Sequence, residues 1–236
     1  MISEVYNMNC LDGMRKYPDN HFDLAIVDPP YGIDAPNMQM GANKSKNKSN
    51  TSDSVANKLK KARFSQGSGK LKDRKLNTMK LDWDIKPDDE YFKELFRVSK
   101  NQVIWGGNYF IDNLYSSRCF AIWNKNQPWD NFSQAEFAWT SFDAPAKLIT
   151  LSNRGGANSE EKIHPTQKPI KLYEWLLLNF ANEGDKILDT HLGSGSSRIA
   201  AFKMGFDFVG FELDKEYFDA QQKRFSQETR QLALFR

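Results

Sequence analysis

The junction that most constrains this 236-residue chain is an apolar run, Leu24-Ala25-Ile26-Val27, ending in Asp28-Pro29-Pro30-Tyr31. The run reads as a buried strand, and its C-terminal end is where open α/β sheets place their chemistry. Two consecutive prolines fix φ twice and remove two backbone donors, which makes the turn rigid and extended. A carboxylate and an aromatic ring flank it. Such a turn suits a planar, amino-bearing ring, with Tyr31 against its face and its N–H groups on Asp28 and a proline carbonyl.

Other chemistries are disfavoured by what the chain contains. It has two cysteines, Cys10 and Cys119, without zinc-site spacing or a disulfide framework. Glu4 and Asn7 stand where a signal peptide needs apolar residues, and no run reaches the length of a membrane span. A cytoplasmic location away from membranes is therefore expected. The hydrophobic fraction of 39% suits one globular domain over 1–236. Charge is unevenly spread. Residues 41–80 hold 12 Lys/Arg against 2 Asp/Glu, whereas the remainder holds 21 basic and 28 acidic residues. A Ser/Asn/Lys-rich segment of this kind is expected to be a flexible insert, 34–80, that orders on phosphates.

Periodicity elsewhere alternates between strand and helix. Strands are expected over Glu4–Asn9, Phe22–Val27, Gln102–Trp105, Cys119–Trp123, Ala135–Thr140, Lys186–Asp189 and Phe206–Phe211. Helices are expected over Cys10–Tyr17, Pro87–Val98, Asn108–Leu114, Pro169–Phe180 with proline in first position, 196–204 ended by Gly205, and a last helix capped by Asp214. Residues 141–163 read as irregular. The alternation predicts a doubly wound α/β sheet. A second strand end, Asp189-Thr190-His191-Leu192-Gly193-Ser194-Gly195-Ser196, enters a helix through two glycines that permit close backbone approach. Glu212 ends the following strand, where a carboxylate can take both hydroxyls of a ribose. Arg198 stands at the third position of a G-x-G-x-x-G pattern, and no Gly-Lys-Ser/Thr follows, so a nucleoside cofactor without pyrophosphate fits better than a dinucleotide. The two strand ends must lie side by side for cofactor and substrate to meet.

These motifs, with Trp105-Gly106-Gly107-Asn108-Tyr109-Phe110, Ile122-Trp123-Asn124-Lys125 and His164-Pro165-Thr166-Gln167-Lys168-Pro169, resemble the amino-group DNA methyltransferases in beta-class order. In that order Asp-Pro-Pro-Tyr precedes the cofactor glycines. The resemblance spans nearly the whole chain except 34–80 and 141–160. It implies a Rossmann-like methyltransferase fold with permuted motif order, a mixed sheet of seven strands, S-adenosyl-L-methionine as cofactor and double-stranded DNA as partner, with base flipping. A homodimer and a cognate restriction enzyme are compatible with it.

Carried over by position, Asp28, Pro29, Pro30 and Tyr31 are the expected catalytic residues. The expected cofactor contacts are Asn9, Cys10, Leu11, Asp28, Thr166, Lys168, Asp189, His191, Leu192, Gly193, Ser194, Gly195 and Glu212. The chain departs from the family at Met8-Asn9, where Gly-Asp is common, and at Thr190-His191, where Pro-Phe is common. Asp in the first position of the tetrapeptide favours adenine N6 over cytosine N4. Neither cysteine follows a proline, which disfavours attack on a ring carbon. Rival readings are cytosine-N4 methylation, a protein-amide methyltransferase and a non-catalytic nucleic-acid-binding relic. DNA contact is expected from the basic insert, through Lys44, Lys46, Lys48, Lys58, Lys60, Lys61 and Arg63, with 141–163 as a short recognition segment.

Overall fold

A computed structural model of the protein describes residues 2–33, 84–127, 133–152, 162–164 and 166–233. The basic insert, Pro165 and most of the second half of 141–163 lie outside them. The chain opens with strand β1 (Ser3–Asn7), helix α1 (Cys10–Met14) and strand β2 (Phe22–Val27). Helix α2 (Asp89–Val98) leads to β3 (Ser99–Trp105), and β4 (Phe120–Asn124), β5 (Ala135–Thr140) and β6 (Lys147–Thr150) follow. The remainder is α3 (Ile170–Phe180), β7 (Lys186–Asp189), α4 (Ser196–Met204), β8 (Asp207–Glu212) and α5 (Lys215–Ala233).

The strands form one sheet in the order β1-β8-β7-β2-β3-β5-β4-β6. β5 runs antiparallel to both its neighbours, and the other pairs are parallel. From β2 the chain builds outward through β3 in one direction, and from β7 it builds outward through β8 in the other, to lie beside the N-terminal edge strand β1. The switch in winding therefore falls between β2 and β7, which pair directly through Leu24–Ile187 and Ala25–Leu188. Open α/β sheets bind ligands in the crevice at this switch. Val27 and Asp189 end the two strands there.

Helices cover both faces of the sheet. One core joins Leu24, Ile26, Val103, Trp105 and Trp123 to Leu172, Leu176 and Ile199 of α3 and α4. The other joins Ala25, Val27 and Ile104 to Tyr91, Phe92 and Leu95 of α2. Alternate residues of β2 thus point into different layers, as strand geometry requires. Helix α2 starts where the Asp88 side chain accepts the Tyr91 N–H at 3.1 Å. Helix α4 ends at Gly205 with φ +87°, and Asp214 accepts the Glu216 and Tyr217 amides at the start of α5.

Four expectations need correction. The sheet has eight strands, because β6 lies within 141–163. It is a four-residue edge strand held by its pairing with β4, too short for periodicity to reveal. Asn108–Leu114 is two 3-10 turns, Gly107–Tyr109 and Ile111–Asn113. Phe110 separates them at φ −121°, with its fully buried ring 5.3 Å from that of Phe92. Pro169 caps α3 from an extended conformation instead of opening its first turn. Helix α1 stops at Met14, short of Tyr17. Among the described residues, no helix is long and apolar enough to cross a membrane.

Candidate active site

The tetrapeptide leaves β2 at the switch. Asp28 Oδ1 accepts the Tyr31 hydroxyl at 2.7 Å, and Oδ2 accepts Lys168 Nζ at 2.5 Å. The Tyr31 ring stacks on Tyr109, with centroids 4.9 Å apart and planes 17° off parallel. Gly106, at φ +69°, passes beneath that ring, and a Cβ there would lie 2.3 Å from Tyr31 Cε1. Gly107 gives way to Trp139, whose Cβ would be 2.5 Å from a Cβ at 107. Of the two glycines after β3, one therefore seats the Tyr31 ring and the other the backbone and Cβ of Trp139.

Lys168 is buried and joins a chain of charges. Its Nζ lies 3.1 Å from Glu136 Oε2, and Lys125 pairs with the other oxygen of Glu136. Antiparallel β5 brings Glu136 to this rim, because its Ala138 pairs with Trp105 at the end of β3. Burial opposes the charge on Lys168, but Asp28 and Glu136 outweigh it and hold the ammonium above its ordinary range. Burial likewise works against the Glu136 carboxylate, yet Lys168 and Lys125 hold it below its usual range. Tyr31 is raised well above the phenol range, first by burial and then by Asp28, so it stays a donor.

Across the switch, β7 opens into the glycine loop. Gly193 at φ +49° and Gly195 at φ +73° adopt the left-handed backbone that glycine takes without strain. Asp189 is buried, with Oδ2 accepting from Ser197 Oγ at 2.5 Å and Oδ1 from the His191 amide at 3.0 Å. Burial raises its pKa to about 7. Glu212 accepts the Gly193 amide at 2.8 Å and the Asp214 amide at 2.9 Å. Asn9 Oδ1 accepts the Leu11 amide and starts α1 beside the end of β1.

Over residues 42–223 the sequence matches the family model for N6/N4 DNA methylases. The chain belongs to the N6/N4 DNA methylase family. The matched span begins beyond Asp28–Tyr31. The type II methyltransferase M2.MboI of Moraxella bovis aligns more widely, at 24% identity over 95% of this chain and 88% of its own. In fold, the chain is similar to the M1.HpyAVI–SAM complex, with a TM-score of 0.57 at 20% identity over 95% of this chain and 98% of that one. It is similarly close to the PvuII DNA methyltransferase, described as cytosine-N4-specific. There the TM-score is 0.58 at 13% identity, over 96% of this chain and 90% of that one.

In this N6/N4 methylase the expected site residues fall into two groups. Asp28, Pro29, Pro30, Tyr31 and Lys168 gather at the end of β2. Asp189, His191, Leu192, Gly193, Ser194, Gly195 and Glu212 form the loop after β7 and its anchors, while Asn9, Cys10 and Leu11 begin α1. Thr166 lies against His164, its amide 3.3 Å from Nδ1. The His164 ring stands 4.2 Å from Tyr217, and burial, followed by Lys168, lowers its pKa to about 4. Burial pushes the Cys10 thiol to about 12, so it is not a nucleophile at neutral pH.

The sequence did not single out Glu136, Arg224 or Tyr91. Glu136 is an acid inside a strand that is otherwise apolar or small, which was the available signal. Arg224 of α5 donates to the Ser194 carbonyl at 2.8 Å and to Ser196 Oγ at 2.9 Å, bracing the loop from behind. The Tyr91 hydroxyl bonds Thr190 Oγ1 at 2.7 Å, and Thr190 in turn meets His191 Nδ1 at 2.9 Å.

That last chain makes a testable statement. Burial lowers His191 from 6.5 to about 4, so the folded protein holds the imidazole neutral. Stability from this group is present above pH 6.5 and is lost as pH falls towards 4. Phenylalanine at this position has no proton to take up. His191→Phe should gain about 1–2 kcal/mol relative to wild type between about pH 7 and about pH 5, read from urea unfolding at both pH values. A difference that does not change with pH contradicts the neutral imidazole.

Proposed function

We propose that this methylase transfers a methyl group from S-adenosyl-L-methionine to the exocyclic N6 amino group of adenine in double-stranded DNA. The observation that carries the reading is the pairing of β2 with β7. It sets the Asp28–Tyr31 turn and the Gly193–Gly195 loop on either side of one crevice.

The loop fits a nucleoside. Its two left-handed glycines carry no side chain into the crevice, and Glu212, anchored on two amides, retains lone pairs for ribose hydroxyls. Asn9 keeps a side-chain amide at the start of α1 for a purine edge. Leu192 and the Tyr91–Thr190–His191 cluster wall the site. When bound, S-adenosyl-L-methionine supplies an electrophilic methyl group.

The residues at the end of β2 then act on the base. An exocyclic amino nitrogen is a poor nucleophile because its lone pair is delocalised into the ring. Asp28 and the Pro29 carbonyl accept its two N–H bonds and draw the nitrogen towards tetrahedral geometry, freeing the lone pair. Tyr31, braced by Tyr109 and Gly106, offers a ring to the flipped base. The contribution is positioning and electrostatics, with no covalent enzyme intermediate. Asp as the first residue of the turn favours adenine.

Radiolabelled methyl transfer to mixed-sequence duplex DNA, followed by nucleoside digestion, tests the reading. N6-methyl-2′-deoxyadenosine is expected. N4-methyl-2′-deoxycytidine replaces the base assignment, and cofactor binding without transfer to any DNA supports a relic. The proposed role of 34–80 is tested in the same system. Deleting 41–75, a stretch outside the described residues, should weaken DNA binding and flatten its dependence on salt. Losing about 5 phosphate contacts lowers the slope of log K against log salt by roughly 4. An unchanged slope assigns the DNA contact elsewhere.

A further inference from the structure

Asp28 already holds a donor on each oxygen, and one of the two is a cation. The Tyr31 hydroxyl holds Oδ1 at 2.7 Å and Lys168 Nζ holds Oδ2 at 2.5 Å. Lys168 also reaches the Tyr31 oxygen at 3.3 Å. Each oxygen keeps a further lone pair, but an amino group that enters shares Oδ1 with the phenol or Oδ2 with the ammonium, and the bound donor weakens that oxygen as an acceptor. Tyr31 is the harder to move, stacked on Tyr109 and in close contact with the backbone of Gly106. Lys168 hangs on a flexible four-carbon stem.

A neutral amino group does not displace an ammonium from a carboxylate when the buried cation is left without a partner. The structure supplies a second partner. Glu136 Oε2 is buried and lies 3.1 Å from Lys168 Nζ, yet no aligned hydrogen bond reaches it. Lys125 occupies only the other oxygen. Two lysines and two carboxylates remain balanced whichever carboxylate Lys168 prefers.

We infer that Lys168 stands in for the target amino group on Asp28 until the base enters and then passes to Glu136, so that Glu136 is a positioning residue that opens the site. The inference rests on the amino-group reading above and deepens it. It assigns this chain a step between base flipping and methyl transfer, and it makes entry depend on a residue that need not touch the base. The loop after β7 is not part of the exchange, so its hold on the cofactor is unchanged by it.

The test uses the full chain and a duplex carrying the site found by the methylation assay. Adenine is kept at the target, with 2-aminopurine beside it to report unstacking. Glu136→Gln leaves Lys168 with no carboxylate to move to. Base entry and the single-turnover methylation rate should both fall about tenfold or more, with S-adenosyl-L-methionine affinity within about threefold of wild type. Glu136→Asp, which keeps the charge but withdraws the oxygen, should give a smaller loss. The decisive variant is Lys168→Met with Glu136→Gln, which removes the competing cation together with its second partner. Base entry should recover to within about threefold of wild type. Entry unchanged in Glu136→Gln, or no better in the double variant than in Glu136→Gln, overturns the hand-off. A wild-type chain that neither unstacks nor methylates any DNA removes the amino-group reading and the hand-off with it. That failure is recognised without any variant.

Discussion

Asp28→Ala should lower methyl transfer by about 10³-fold or more while leaving S-adenosyl-L-methionine binding within a few-fold of wild type. Asp28 follows the end of β2, and the loop proposed for the cofactor is held by other bonds. Glu212, Asp189 and Arg224 fix it through Gly193, His191 and Ser194. Removing Asp28 breaks none of these. It does remove one of two carboxylates from buried Lys168, and Glu136 keeps the other half of the partnership. The stability loss should therefore be about 1–3 kcal/mol, below the cost of leaving a buried charge with no partner. Asp28→Asn separates the two roles of the side chain. Its carbonyl still accepts a base N–H, but it no longer neutralises Lys168, so it should retain more activity than alanine. Equilibrium unfolding and cofactor titration on the same preparations distinguish a dead site from a lost fold. Turnover equal to wild type in Asp28→Ala would falsify the assignment of the amino group to this turn.

The strand ends were legible because backbone chemistry marks them. Two prolines after an apolar run, and two glycines between a strand and a helix, have few alternative meanings. The adjacency of β2 and β7 followed from requiring both motifs to share one crevice. β6 was hidden because four residues with alternating exposure carry no hydrophobic run. Residues whose roles depend on tertiary contact were hidden for a different reason. Glu136 is an ordinary strand residue until β5 is turned antiparallel beside β3 and Lys168 is brought in from the segment before α3. Gly106 and Gly107 were visible as a motif, but the residues they make room for, the ring of Tyr31 and the backbone of Trp139, lie far away in sequence. Asp189 and Glu212 were legible as acids at strand ends. The amides that orient them appear only once the loop is folded.

Gly106→Ala should remove about 10²-fold or more of the turnover, although the residue touches neither cofactor nor DNA in the proposed reaction. Two costs combine at this position. The backbone at φ +69° is strained for any L-residue, by about 1–2 kcal/mol. The added methyl would then lie 2.3, 2.6 and 2.7 Å from three carbons of the Tyr31 ring, so the ring must move. Tyr31 cannot shift alone, because its hydroxyl is bonded to Asp28 and its face is stacked on Tyr109. The base platform and the orientation of Asp28 are lost together, while the loop after β7 is untouched. Cofactor affinity should accordingly hold as turnover falls. Gly107→Ala is the contrasting variant. Its methyl meets the Trp139 backbone nitrogen at 3.0 Å as well as Cβ, so its main effect should be lower stability. Adding Tyr31→Ala to Gly106→Ala relieves the clash. Stability should then recover to the strain of the backbone alone while activity stays lost, because the ring that suffered the clash is the one the base requires. If the double variant regains turnover, Tyr31 is not the platform and the glycine serves only the turn.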